Sequence, residues 1–226
     1  MVLAGATLVW GPPGLAPDKE SGASAPFDEA SVHFEQNATD GDAEVVFAVS
    51  GGEEGLAKLT VVSPDGHTII DFTAPNASPL GIRHFDLESP EPPDVESLKA
   101  AYPEGVYTFT GATATGDEFH GESTLNHTLP PTISFLEPGE DAENVDTRDL
   151  KITWTPVENL AGYIIEVEQD ELGVSVTAKL PGSATSFAVP NGFLSPGMEY
   201  NLGIGTISDE GNISFVETSF TTAEKQ

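Results

Sequence analysis

The sequence has no cysteine, only eight Lys plus Arg against 37 Asp plus Glu, and no long apolar run in its 226 residues. Without cysteine there are no disulfides, no thiolate metal sites, no thiol nucleophile and no lipid attachment through sulfur. With so few bases the formal charge is −29, and nucleic-acid backbones and anionic membranes repel such a surface. No segment approaches the ~20 consecutive apolar residues of a spanning helix, so no transmembrane anchor is expected. The acids are not gathered in a tail: 21 acids and 4 bases precede Leu129, and 16 acids and 4 bases follow from there. A charge spread in this way keeps a protein soluble in salty media.

What is present begins with an apolar run at 2–10, followed by Gly14 and Ala16 at signal-peptidase spacing. It resembles the back half of a secretory signal without its positive start, so either the true start lies upstream or the resemblance is accidental; a secreted, extracellular protein is the expectation. Residues 17–26 (PDKESGASAP) are small, polar and bounded by prolines, which suits a spacer. Residues 1–27 are therefore set apart from the folded body.

From Phe27 onward apolar residues recur with period two, broken every ten residues or so by Pro, Gly, Asn and Asp. That is the pattern of antiparallel strands with one buried face. It runs through Val45, Phe47 and Val49, then Leu59 and Val61 before the turn at 63–66 (SPDG), then 67–72, 82–87 and 106–110. In the second half it recurs in Leu150, Ile152 and Trp154, in Tyr163, Ile165 and Val167, in Phe187 and Val189, and in Tyr200, Leu202 and Ile204. Only 94–102 (DVESLKAAY) reads as helix, with Asp94 as N-cap, Val95, Leu98 and Tyr102 on one face, and Pro103 ending it. Between strand-forming segments such a helix is a crossover over one end of a sandwich.

The halves share an internal match. YPEGVYTF at 102–109 and SPGMEYNL at 195–202 each place a Tyr after a Pro and a Gly, and each precedes a hairpin turn, at 115–118 and 208–212. The spacing predicts a tyrosine corner in each half, with the hydroxyl bonding back to the preceding loop.

From 131 to 222 the chain resembles a fibronectin type III domain. The resemblance rests on Trp154 in the second strand, Gly162 and Tyr163 opening the third, LSPGMEY at 194–200 leading into the sixth and SFTT at 219–222 closing the seventh. It departs from the pattern at Gly203 and Gly205, which thin one face of the sixth strand, and the chain has no RGD triplet. The resemblance implies a seven-stranded sandwich without disulfides and without catalytic activity. The expected fold is all-β: two tandem antiparallel sandwiches, an immunoglobulin-like one at 28–129 and a fibronectin type III-like one at 130–226. Leu129, Pro130 and Pro131 form the joint, which the two prolines restrict to extended conformations, so the domains are expected end to end with limited flexing.

Candidate sites are few. Glu118, His120 and Glu122 would share one face of a strand and could hold a divalent ion, but read more simply as a charged face guarding an edge strand, with Phe119 and Leu125 inward. The acidic stretches 40–44 and 139–149 lack the spacing of a one-loop calcium site and read as solvated turns. The second would lie at a sandwich end, where its carboxylates could meet carbonyls from the joint. Sequons at Asn37, Asn76, Asn126 and Asn212 weakly favour an extracellular setting and fit turns equally well. No nucleophile elbow, metalloprotease helix, phosphate loop or dinucleotide fingerprint occurs, and the glycines at 203 and 205 lie in a strand, where they allow close sheet contact.

No catalytic, cofactor-binding or metal-binding residue is therefore assigned, and no cofactor. The expected role is a secreted, non-catalytic spacer, adhesion or protein-interaction module whose partner is an extracellular protein or glycan, met through end loops or an exposed strand edge. Two alternatives stay open. One is a carbohydrate- or calcium-binding module in the first half, which would present Tyr102, Tyr107, Phe109 and Phe119 as an exposed row. The other is a small carboxylate-dependent hydrolase.

Overall fold

The computed structural model describes residues 24–224 apart from 52, 54, 75–79 and 93. The signal-like run, with Ala16, and Asn76 lie outside the described residues. In the first half the elements are β1 (Ala25–Pro26), β2 (Glu29–Asn37), β3 (Ala43–Ser50), β4 (Leu56–Val62), β5 (Thr68–Thr73), β6 (His84–Glu88), α1 (Val95–Ala101), β7 (Gly105–Thr113) and β8 (Glu118–Leu125). The second half contributes β9 (Phe135–Glu137), β10 (Ala142–Val145), β11 (Lys151–Trp154), β12 (Gly162–Gln169), β13 (Val174–Pro181), β14 (Ser186–Ala188), β15 (Glu199–Ile207) and β16 (Ile213–Thr222).

Period-two patterning produces the expected layers. One core lies between β2-β3-β6 and the sheet β1-β8-β7-β4-β5, with Phe34, Val45, Leu59, Tyr107 and Phe109 inside. The other lies between β9-β11-β14 and β12, β15 and β16, with Trp154, Tyr163, Leu202 and Phe220 inside. The halves share a strand order: β2-β3-β6 corresponds to β9-β11-β14, and β8-β7-β4-β5 to β16-β15-β12-β13. The second has the three-plus-four arrangement of seven strands that the resemblance implies, and the first repeats it with the two-residue β1 added beside β8.

The predicted turns and corners form. The hairpins after β4, β7 and β15 carry Gly66, Gly116 and Gly211 at φ of 86°, 93° and 93°, a region glycine occupies at little cost. The Tyr107 hydroxyl donates to the Pro103 carbonyl at 3.1 Å, and the Tyr200 hydroxyl accepts from the Ser195 N–H at 2.8 Å. Burial, then Asp65, then Tyr102 push the Tyr107 hydroxyl up to about 12, so it stays protonated and able to donate. Asp94 caps α1 by accepting from the Glu96 N–H, and Leu98 enters the first core as the chain crosses between sheets. Trp154 is the one described residue with a buried side-chain N or O lacking a hydrogen-bond partner, at its Nε1.

Three placements differ from the sequence reading. Ala25 and Pro26 pair with Phe119 and His120 of β8, and Phe27 packs on Gly111, Gly121 and Phe119, so residues 25–27, set apart in the sequence reading, lie against the first sandwich. The acidic stretch 139–149 is not one solvated turn near the joint. It contains β10, which pairs with Phe220 and Thr222 at the C-terminal end of β16, the end opposite the joint, and its Asp146 is held by Arg148 at 3.1 Å. The third difference is that a single eight-stranded sheet, β13-β12-β15-β16-β2-β3-β6 with β10 beside β16, runs through both halves.

Candidate functional site

The joint between the halves is made in that shared sheet. Glu35, Gln36 and Asn37 at the end of β2 run parallel to Ile213, Ser214 and Phe215 at the start of β16. Beyond the ladder, the Ala38 N–H donates to the Phe215 carbonyl and the Glu217 N–H to Thr39 Oγ1, each at 2.8 Å. Further along, the Asp141 N–H donates to Thr218 Oγ1 and β10 takes over. The outer edge of β16 is thus covered from end to end, which satisfies backbone groups that an open edge leaves exposed.

Asn212, at the close of the last hairpin, pins this arrangement. It is 1% exposed. Its Oδ1 accepts the Phe34 N–H at 2.9 Å, and its Nδ2 donates to the carbonyls of Asn126 and Thr128, both at 2.9 Å, and to Asn126 Oδ1 at 3.0 Å. One side chain, at the entry to β16, therefore ties the second sandwich to β2 and to the chain leaving β8. Two of the four sequons are consumed in this way. A glycan on Asn212 Nδ2 would displace those bonds, and Asn126 Oδ1 also caps Thr128 N–H at 2.9 Å. Asn37 Oδ1 accepts the Thr39 N–H, an Asx turn.

Across the outer face of the joint runs a row of carboxylates. Glu35 on β2 stands directly opposite Glu44 on β3, and Glu166 and Glu217 flank Gly203 in register on β12, β15 and β16. Together with Glu88 and Glu91 they line a cavity of about 320 Å³ that has no Lys or Arg in its wall. Desolvation, then Glu88, Glu35 and Glu91, raise Glu44 to about 7; desolvation, then Glu168, Glu35 and Glu217, raise Glu166. The cavity can take up protons as the pH falls toward and below neutrality. Gly205 has a steric role beside it: a Cβ there would lie 2.9 Å from the Phe215 ring, which rests in the notch.

The sequence reading weighed other residues and assigned none. Glu118, His120 and Glu122 share the exposed face of β8, with His120 and Glu122 3.9 Å apart. Among the described residues, no group of three or more His, Cys, Asp or Glu is placed to hold a metal ion. At 40–44 the Asp42 N–H bonds Asp40 Oδ1, the turn chemistry expected. The aromatic row that a carbohydrate site would need does not form. Tyr107 and Phe109 are fully buried, and Tyr102 and Phe119 pack against the same core. The joint residues were missed because Glu35, Glu44, Glu166 and Glu217 each fit an ordinary solvent-facing position, and no local pattern reveals that their strands are neighbours.

The strand order, the buried Trp154 beside Tyr163 at 5.3 Å and the Tyr200 corner decide the architecture of the second half. It has a fibronectin type III-like fold. No family model matches the chain. Among solved structures it is similar to a two fibronectin type III domain segment from chicken tenascin, with 16% identity, 87% of this chain and 99% of that chain covered, and a TM-score of 0.32. It is also similar to the FN1–FN3 domains of chicken CNTN1, with 11% identity, 88% and 65% covered and a TM-score of 0.35. For fibronectin(III)-like modules of Clostridium thermocellum CbhA the identity is 11%, the coverage 90% and 92%, and the TM-score 0.35.

Proposed function

We propose that the chain is a non-catalytic spacer and interaction module acting outside the cell, in which two sandwiches, 28–129 and 130–226, are held at a fixed angle. The observation that carries this reading is the hydrogen-bonded joint. A three-residue ladder, two flanking bonds and a buried asparagine hold the first sandwich on the edge strand of the second. A protein that only had to connect two partners loosely would need none of this, whereas a spacer that sets a distance or direction needs that stiffness. The charge of −29 supports a soluble exterior role and opposes nucleic-acid partners. No helix among the described residues is long and apolar enough to cross a membrane. The partner is an extracellular protein or glycan, met through end loops or an edge strand.

The absence of native cysteine makes the test direct. Spin labels attached at Asp71→Cys on β5 and Glu143→Cys on β10, both exposed positions in different halves, are expected to give one narrow distance distribution by pulsed electron resonance. A broad distribution, with the halves sampling many separations, would overturn the spacer reading.

A further inference from the structure

The shared sheet ends on β13, and this edge differs from the rest of the molecule. In a chain with 37 acids, the stretch 172–198 contains no Asp or Glu and a single base, Lys179. β13 pairs with β12 on one side only and is eight residues long. The other long open edges are guarded by carboxylates: Asp86 and Glu88 on β6, Asp71 on β5. Acids of that kind prevent strands of separate molecules from pairing. On β13 only Lys179 and the terminal Pro181 do so. At its start Leu172 and Val174 remain 54% and 39% exposed.

We propose that two copies of the chain associate through β13, paired antiparallel about a two-fold axis at Thr177. Two molecules of charge −29 repel wherever their carboxylates meet. On this edge a second copy's strand meets no acid directly opposite it; the neighbouring carboxylates, Glu166 and Glu168, stand one strand further in, beside Thr177 and Ser175. The sequence of β13 is self-complementary in that register, which is the one that uses the strand from 174 to 180. Val174 faces Leu180, Ser175 faces Lys179, Val176 faces Ala178 and Thr177 faces itself, so the single base never meets its own copy. Val176 and Leu180 already pack against the second core, while Ser175, Thr177 and Lys179 face solvent. Pairing would join the two shared sheets into one continuous sheet and cover Val174.

Sedimentation of the full chain tests this. Dimer is expected to increase with concentration, with a dissociation constant of the order of 10–100 µM, as suits a contact at the small end of stable interfaces. It should also increase between about 0.05 M and about 0.5 M NaCl, because salt screens the repulsion of the two copies. Thr177→Glu, which sets two carboxylates face to face on the axis, is expected to abolish it. Thr177→Cys places two sulfurs across a strand pair at disulfide distance, so mild oxidation should link it about tenfold faster than Asp71→Cys on the other sandwich. A chain that stays monomeric at every concentration and salt, a dimer indifferent to Thr177→Glu, or equal linking of the two cysteine variants would each overturn the proposal.

Discussion

Replacing Asn212 with alanine is expected to cost about 2–3 kcal/mol and to lower the melting temperature by roughly 5–10 °C. The side chain accepts from one backbone N–H and donates to two backbone carbonyls, all at 2.9 Å, in a position 1% exposed. Alanine leaves the buried Phe34 N–H without its acceptor and strips the half-buried joint of two bonds to the Asn126 and Thr128 carbonyls, and an unmet buried group costs more than the bond that satisfied it was worth. Asn212→Asp is expected to be at least as damaging, since it keeps the acceptor for Phe34 but turns a carboxylate on the carbonyl oxygens of Asn126 and Thr128. Asn126→Ala removes a smaller part of the same network. Differential scanning calorimetry checks the ranking. It also shows whether the single transition expected of coupled halves splits into two in the Asn212 variants. An Asn212→Ala chain as stable as wild type would mean that the joint contributes nothing.

The chain is expected to become more stable as the pH falls from 8 to about 5, against the usual course for a protein whose carboxylates are held in salt bridges. Glu44 is raised from an ordinary 4.5 to about 7 in the fold, chiefly by desolvation and then by Glu88, Glu35 and Glu91. Between those values the folded chain holds more protons than the unfolded one, so lowering the pH through that window favours folding, and above 7 the full penalty of an ionised Glu44 is present. A shift of that size in a group sealed from water would be worth ~3 kcal/mol; Glu44 is half-buried, and solvent screening reduces the penalty to about 1 kcal/mol. Glu166, raised in the same direction, adds to the trend. Glu44→Gln should therefore raise the melting temperature by about 2–4 °C at pH 8 and change little at pH 5. Melting curves across this range that are flat, or a Gln variant without effect at pH 8, would show that the carboxylate row is fully solvated.

What could be read from the sequence is what is local. Alternation gave the strands around Leu59, Ile152 and Leu202 because the period of two is set by the pleat itself. Turn glycines at 66, 116 and 211 and the cap at Asp94 act within a few residues, and both tyrosine corners follow from a fixed Pro-Gly-Tyr spacing. Gly205 was legible as a place of close contact, though not as the notch for Phe215. The joint was not legible, because Phe34 and Asn212 meet across 178 positions and neither has an unusual neighbourhood. Asn212 read as a sequon or a turn residue, and Glu35 and Glu44 as routine outward positions on separate strands. β10 was hidden inside an acidic stretch whose composition is that of a loop, and it forms because the edge of β16 offers it backbone partners.

The central claim is that the two sandwiches share one hydrogen-bonded sheet. Amide hydrogen exchange of the full chain examines it at three positions: the N–H groups of Phe34, Ala38 and Glu217, each of which donates to the opposite half. They are expected to exchange as slowly as the ladder amides of β2 and β16, and to lose that protection together in Asn212→Ala. Exchange of these three amides in wild type at the rate of an open turn would contradict the claim.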